Sequence, residues 1–344
     1  MKNIALIILC ALMVIVSSCQ REQDSHKRQK EISLIEGWIP WTAYIGGLYA
    51  EEIADSLYGL QFKIVDGADN IDPVQMVLSD EYLFGVAGAE AIVAANSNTN
   101  ADLVAIGVVN YKSATCFLSL KEKKIQTLQD FQGKKIGKLL GTETETIYEA
   151  LKKKYNLSID PKNEYEVPNE LATFLAGEYD VRPGFTYDEE VTLQINNKDY
   201  NIIYPQDYGV SILGGVYFTR RKTIEQYPEL VQQVVSSIAL GWEKALLDPD
   251  NAVQLLISHD PKNLDEKREK LAFEKGAEYF RGEDDWALYA SDNSWNSFND
   301  VLKLIGRVPK DFNISSCYDN SFVLNFHKKT KPYLMDSHNK FNRE

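Results

Sequence analysis

Residues 82–96 read YLFGVAGAEAIVAAN, and this stretch decides the fold class. The run at 82–87 is apolar throughout, as a strand buried on both faces must be. Gly88 follows at once, and an alanine-rich helix is predicted from Ala89. Strand, glycine and helix in immediate succession are the unit of a doubly wound sheet. Working upstream, residues 60–65 (LQFKIV) alternate like a half-buried strand. Asp72-Pro73 is a helix start, with Asp as cap and Pro at the first helical position. Val74, Val77 and Leu78 give that helix an apolar face. Residues 31–35 (EISLI) read as the first strand, and a helix over 47–57 places Leu48, Ile53 and Leu57 on one side. Downstream, 103–109 is another continuous apolar strand. The order is β-α-β-α-β.

A second unit with the same construction follows. Strands are expected at 116–120, 135–140, 165–167, 180–185 and 201–204, the last of the chain. Helices are expected at 127–131, from Gly141-Thr142 to about Tyr155, at 170–176, and from the TYDEE run at 186–190. Thr142 and Glu145 have capping-box spacing. Beyond PQDYG (205–209) the chain reads as mostly helical. Tyr227, Val231, Val234, Ile238, Trp242 and Ala245 step by three or four. Asp248-Pro249 caps another helix. Trp286, Tyr289, Trp295, Phe298, Leu302 and Ile305 follow in helical spacing and read as core packing.

The chain has 344 residues, 44% hydrophobic and 25% charged, which suits a folded protein of two lobes. A net charge of -13 speaks against nucleic acid and against docking on anionic lipid. Residues 1–18 have the form of a signal peptide: a basic start, a short apolar run, then Val16-Ser17-Ser18 ahead of Cys19. The small residues before Cys19 resemble a bacterial lipobox, which implies a lipidated Cys19 and an exported, membrane-anchored lipoprotein, periplasmic or at the cell surface. Residues 19–30 are polar and charged and read as a tether. Cys116 and Cys317 remain after processing, either paired or as two unrelated buried thiols. The four histidines (26, 259, 327, 338) stand alone, so neither a metal site nor a cofactor is expected.

Ligands of open α/β sheets bind beyond the strand C-termini, against helix N-termini. Five junctions qualify: 38–47, 87–90, 141–145, 185–190, and the turn at 207–209. None carries a nucleophile elbow, a phosphate loop with lysine, or a cysteine with a nearby histidine. The amides at Gly88 and Gly141 could hold an anion, although Glu143 and Glu145 place negative charge beside the second. Asp188-Glu189-Glu190 either serves the helix dipole or receives an N–H donor. The first junction, GWIPWTAYIGGLYA (37–50), crowds Trp38, Trp41 and Tyr44 ahead of Gly46-Gly47. Aromatic surface beside carboxylates suits a flat, nitrogen-bearing ligand.

Four segments carry a resemblance to a known family. WIPWTAYIGGLYA looks like a W-x-P strand exit followed by an aromatic and a glycine. DPVQMVLSDEYLFGVAGAE is similar to a V-x-x-G-x-x-x-F-G-I segment. LQDFQGKKIGKLLGTETETIYEAL resembles a "DL-GK-IG" strand and helix. VRPGFTYDEEVTLQ with PQDYGV resembles "TNEP" and "DYG" elements. Together they resemble substrate-binding proteins of ABC importers in the thiamine-pyrimidine, sulfonate, nitrate and riboflavin group, over roughly residues 32–250. The resemblance implies an α/β type II periplasmic-binding-protein fold, two doubly wound lobes joined by two crossover strands, near 109–111 and 204–208. Lobe one would be residues 31–110 and 208–327, lobe two 111–207, with a polar tail at 328–344. It implies a monomer that hands a small-molecule ligand to ABC permease and ATPase subunits. Trp38, Trp41, Tyr44 and Tyr187 would stack, and Gly88, Glu90, Ser113, Gly141, Thr142, Asp188, Glu189 and Asp207 would supply polar contacts. A thiamine-precursor pyrimidine is the expected ligand, with riboflavin, aliphatic sulfonate or nitrate as alternatives. One branch of the family, the fungal pyrimidine synthase, is an enzyme that consumes its own histidine and uses iron with a cysteine-rich motif. Tyr44 stands at that histidine's place and no cysteine cluster exists, so binding rather than catalysis is expected. Asp188 and Glu190 also replace the Asn and Pro of "TNEP".

Overall fold

The computed structural model describes residues 32–68 and 70–331. The expected signal peptide, lipidated Cys19 and tether fall outside the described residues, as does the expected polar tail from 332 on, whereas its first residues, 328–331, are helical. Lobe one begins with β1 (Ile32–Ile35), α1 (Ile45–Tyr58), β2 (Phe62–Val65), α2 (Pro73–Leu78), β3 (Phe84–Gly88), α3 (Ala89–Thr99) and β4 (Leu103–Val108). Asp72 caps α2 by accepting from the Gln75 amide at 3.2 Å. Every residue of β4 is buried, which accounts for its unbroken apolar run.

Lobe two contains β5 (Thr115–Leu120), β6 (Ile136–Lys138), α4 (Glu143–Tyr155), β7 (Glu164–Glu166), α5 (Ala172–Leu175), β8 (Arg182–Phe185), α6 (Glu189–Ile195) and β9 (Tyr200–Ile203). Strand β5 lies antiparallel between β8 and β9. The parallel pair β6–β7 joins this sheet through a bridge between Ile136 and Val181. The chain then returns to lobe one as β10 (Gly215–Arg220), followed by α7 (Arg221–Gln226), α8 (Pro228–Leu247), α9 (Pro249–His259), α10 (Glu266–Phe280), α11 (Asp292–Ile305) and α12 (Ser321–Asn325). The lobe-one sheet has the order β2-β1-β3-β10-β4, with β1 parallel to β3 and β10 antiparallel to both neighbours. Each sheet thus contains one antiparallel strand reached through a crossing.

The two crossings run side by side. Val109 N–H donates to the Gly215 carbonyl at 2.8 Å, Gly214 N–H to Asn110 at 2.9 Å, and Ser113 N–H to Ile212 at 2.7 Å. The returning segment is therefore 212–215, beyond the 204–208 stretch expected from the sequence. That stretch forms a turn held by lobe two, where the Tyr155 hydroxyl donates to the Tyr208 carbonyl at 2.8 Å.

Three local expectations are corrected. Strand β10 interrupts a region read as helical from sequence. Trp286 and Tyr289 precede α11 in a turn rather than riding on it, and Trp286 stacks on His327 at 5.0 Å. Thr142 and Glu145 do not form a capping box. The Thr142 hydroxyl donates to the Leu139 carbonyl, and Glu145 reaches past it to the Gly141 amide at 3.0 Å. The capping box lies instead at Thr127 and Asp130. Cys116 and Cys317 are free and buried.

Helices α1 and α8 cross at two glycines. A Cβ on Gly46 would lie 2.3 Å from the Trp242 ring, and one on Gly241 would lie 2.2 Å from the Gly46 carbonyl oxygen. Gly241→Ala forces the helices apart, because the obstacle is backbone. We expect a loss of about 1–3 kcal/mol, read from the urea midpoint; an unchanged midpoint would show that the crossing adapts freely.

Candidate ligand cleft

Four of the five junctions read from sequence converge between the lobes, all but the turn at 207–209. Pro40 and the short turn Thr42–Tyr44 bring Trp41 and Tyr44 to the exit of β1. From lobe two, β8 ends at Phe185 and the next turn presents Tyr187. Trp41 sits 5.8 Å from Tyr44, 6.1 Å from Phe185 and 5.3 Å from Tyr187, ring centre to ring centre. Phe185 and Tyr187 are stacked at 15°. Behind them, Phe280 of α10 backs Tyr187 at 5.2 Å.

These rings wall a cavity of about 290 Å³, whose polar lining includes Glu90, Asn110, Thr142 and Glu143. None of its lining residues is Lys, Arg or His. A smaller recess of about 130 Å³ shares Glu90, Gly141 and Thr142 and adds Glu145 and Arg307. Glu90 and Glu143 stand in the first turns of α3 and α4, one from each lobe. Glu143 Oε1 accepts from Ser113 Oγ at 2.5 Å and Thr115 Oγ1 at 3.3 Å. Glu90 Oε2 is buried without a hydrogen-bond partner, as is Asn110 Nδ2. Burial, and after it the charge of Glu143, pushes the Glu90 carboxyl up to about 8. Burial lifts Glu143 to about 7, against the hydrogen bonds from Ser113 and Thr115.

Of the residues picked from sequence, Trp41, Tyr44, Gly88, Glu90, Gly141, Thr142 and Tyr187 line this cavity, and Ser113 reaches it through Glu143. The others stand elsewhere. Trp38 is outside the lining, its carbonyl accepting from the Gly67 amide at 2.9 Å. Asp188 pairs with Arg268 of α10. Glu189 pairs with the buried Arg182 at 3.0 Å. Asp207 is exposed on its turn. The sequence reading did not select Asn110, Glu143 and Phe185. Glu143 was visible as a helix-start carboxylate, but its partners Ser113 and Thr115 lie at the start of β5, far off in the chain, and give no local signal.

Of the two amides expected to hold an anion, the one at Gly141 is already served. Glu145 occupies the Gly141 amide and pairs with Arg307 at 3.0 Å. The Ala89 amide donates to the Gly214 carbonyl at 3.0 Å.

The family model described as NMT1/THI5 like matches residues 46–252, more than half of the chain. The chain belongs to the NMT1/THI5-like family. A comparison with curated protein sequences finds no match. The alkanesulfonate-binding protein SsuA of Xanthomonas axonopodis pv. citri, bound to MOPS, is similar in structure, with TM-score 0.64 and 16% identity over 84% of this chain and 99% of that one. The periplasmic aliphatic sulphonate binding protein SsuA of Escherichia coli gives TM-score 0.65 and 14% identity over 83% and 91%. The Candida albicans CA3427 gene product, described as having the generic periplasmic binding protein structural fold, gives 0.60 and 13% over 84% and 96%. At these identities the likeness establishes the fold of two lobes about a cleft.

Within this NMT1/THI5-like chain the residues do not fit an iron centre of the synthase type. Tyr44, at the histidine's place, is buried edge-on against Trp41. Cys116 packs in the lobe-two core beside Leu118 and Phe174, whereas Cys317 accepts from Asn96 of α3 at 3.3 Å. Among the described residues no helix is long and apolar enough to cross a membrane.

Proposed function

We propose that this protein is the solute-binding component of an ABC importer and that its cleft takes a small aromatic heterocycle, a thiamine-precursor pyrimidine. The observation that carries this reading is the cavity's composition: an aromatic wall of Trp41, Tyr44, Phe185 and Tyr187 facing two carboxyl groups, with no cation in the lining. Stacking provides area for a flat ring, and the carboxyls orient its N–H groups. The sulfonate named for the structural relatives suits this cleft poorly. A sulfonate would have to displace the Glu145 carboxylate from Gly141 and sit beside Glu90 and Glu143. Binding without catalysis is supported by the tyrosine at position 44. The same reading takes the protein to be a monomer, exported and held on a membrane by lipid at Cys19, with its two lobes parting at the paired crossings, 109–113 and 212–215.

The test is calorimetric titration of the mature protein with hydroxymethylpyrimidine, riboflavin, nitrate and an alkanesulfonate. The reading expects the pyrimidine to bind and the anions to fail; the reverse would sink it. Trp41→Ala removes the ring that touches both walls. We expect affinity to fall by about 1–3 kcal/mol with the melting temperature nearly unchanged. Equal affinity for the variant would place the ligand elsewhere.

A further inference from the structure

The aromatic wall is shared by many flat ligands, whereas the carboxyl pair is specific. Glu90 comes from lobe one and Glu143 from lobe two, and both line one cavity that lacks a lining cation. The groups around them are few. Arg307 shares the adjoining recess with Glu90 but is paired with Glu145, Ser113 and Thr115 face Glu143 from the start of β5, and the Tyr44 and Tyr187 phenols close the wall. Two carboxylates in such a place repel, so one of them keeps its proton. The geometry assigns which. Glu143 receives two hydroxyl donors, which favours its ionised form, while Glu90 Oε2 is buried with nothing to accept from. Asn110, 5% exposed, adds an unpartnered Nδ2 donor on the same cavity.

We propose that Glu90 and Glu143 act as a singly protonated pair that reads an amidine-like edge of the ligand, a ring nitrogen flanked by an exocyclic amine. The Glu90 carboxylic acid donates to the ring nitrogen and the Glu143 carboxylate accepts from the amine. The pair is thereby bridged across the two lobes. A ring carrying a carbonyl in place of the amine presents a lone pair to Glu143 and is rejected. The inference rests on the reading of the cleft as the ligand site and names the part of the ligand that the site recognises.

The sign of the pH dependence follows from proton counting. The complex holds one proton between ligand edge and carboxyl pair. Acid below the lower step forces a proton to leave on binding, and base above the upper step forces one to be taken up. Affinity is therefore greatest between about pH 7 and about pH 8 and falls on both sides.

The test titrates the folded protein with 4-amino-5-hydroxymethyl-2-methylpyrimidine, its 4-oxo analogue, 2-aminopyridine and methanesulfonate, from about pH 6 to about pH 9. The amino compound should show the bell and bind roughly 10-fold or more tighter than the 4-oxo analogue. Glu90→Gln imitates the protonated acid but cannot ionise, so its profile should lose the alkaline fall. Glu143→Gln should weaken binding roughly 10- to 100-fold. The wild-type pH profile needs no variant and stands even if a substitution misfolds. If 2-aminopyridine shows the bell while the pyrimidine does not bind, the pyrimidine reading fails and the pair stands. Tight pyrimidine binding with a flat profile and unaffected variants would overturn the pair and leave the pyrimidine reading intact. Binding of methanesulfonate alone would overturn both.

Discussion

Arg182→Ala lowers the stability of the protein by about 3–5 kcal/mol, because it strands a buried carboxylate. Arg182 is 0% exposed. Its guanidinium donates to the Pro168 carbonyl at 2.8 Å, to the Asn169 carbonyl, and to Glu189 Oε1 at 3.0 Å. Glu189 Oε2 also accepts from the Phe185 amide at 2.8 Å. Alanine removes every donor that the arginine supplies and leaves the Glu189 carboxyl in a dry site without its counter-charge. Burial and the neighbouring Asp188 already lift the Glu189 carboxyl to about 7, with Arg182 opposing them. Without the arginine this folded-state value rises further above the unfolded one. The variant's deficit is then smallest in acid, near the ordinary carboxylate range, and grows as pH rises through the raised value. Urea unfolding at several pH values checks both statements. Arg182→Met with Glu189→Leu should recover much of the loss, since an apolar pair leaves no orphaned charge. A single-variant loss under about 1 kcal/mol would mean that water reaches Glu189.

Trp242→Ala is the second large loss, about 3–5 kcal/mol. Trp242 is fully buried, lies 4.8 Å from Phe280, and receives the bare face of Gly46. Its Nε1–H donates to the Tyr217 hydroxyl at 3.2 Å. Alanine opens a cavity beneath the first turn of α1 and leaves that hydroxyl near Glu36, a fully buried carboxyl whose oxygens lack partners and whose titration burial pushes well above the ordinary carboxylate range. The damage also reaches the cleft, because Phe280 backs Tyr187. Ligand affinity should therefore fall along with the urea midpoint. Trp242→Phe keeps most of the ring and forfeits the hydrogen bond, and should recover the larger part. Stability lost without any change in affinity would uncouple Trp242 from the cleft wall.

Much of this architecture was legible where local chemistry and fold agree. The 82–96 stretch is a buried strand, a glycine and a helix, and the structure has all three. Asp72-Pro73 caps α2 as its residue types demand. What escaped has partners far away in the chain. Strand β10 is the six-residue run GVYFTR, which opens on the second of two glycines and has no alternation to mark it. Its identity as a strand comes from β3 and β4 on either side, which only the crossings bring near. In the cleft, Trp41, Tyr44 and Tyr187 were legible because aromatics crowded in loops have few structural uses. Asp188 and Glu189 were misleading for the opposite reason. Carboxylates at a helix start look alike in sequence, and only Arg182 and Arg268 reveal that these two are already engaged.

Strand β10 carries one more consequence, for the time course of assembly. Strands β3 and β4 belong to one sheet but do not pair with each other; β10 fills the slot between them. A chain emerging from its N-terminus has made both by Val108, yet the strand between them arrives only at Gly215. Throughout that interval the facing edges of β3 and β4 lie open, with unpaired backbone groups and apolar side chains. Lobe two has every strand of its own sheet before β10 exists. The second lobe can thus form early as an insert, while the first stays a split sheet until its wedge comes home. This long-range closure makes the first lobe the slower of the two and the one most exposed to mispairing on the way.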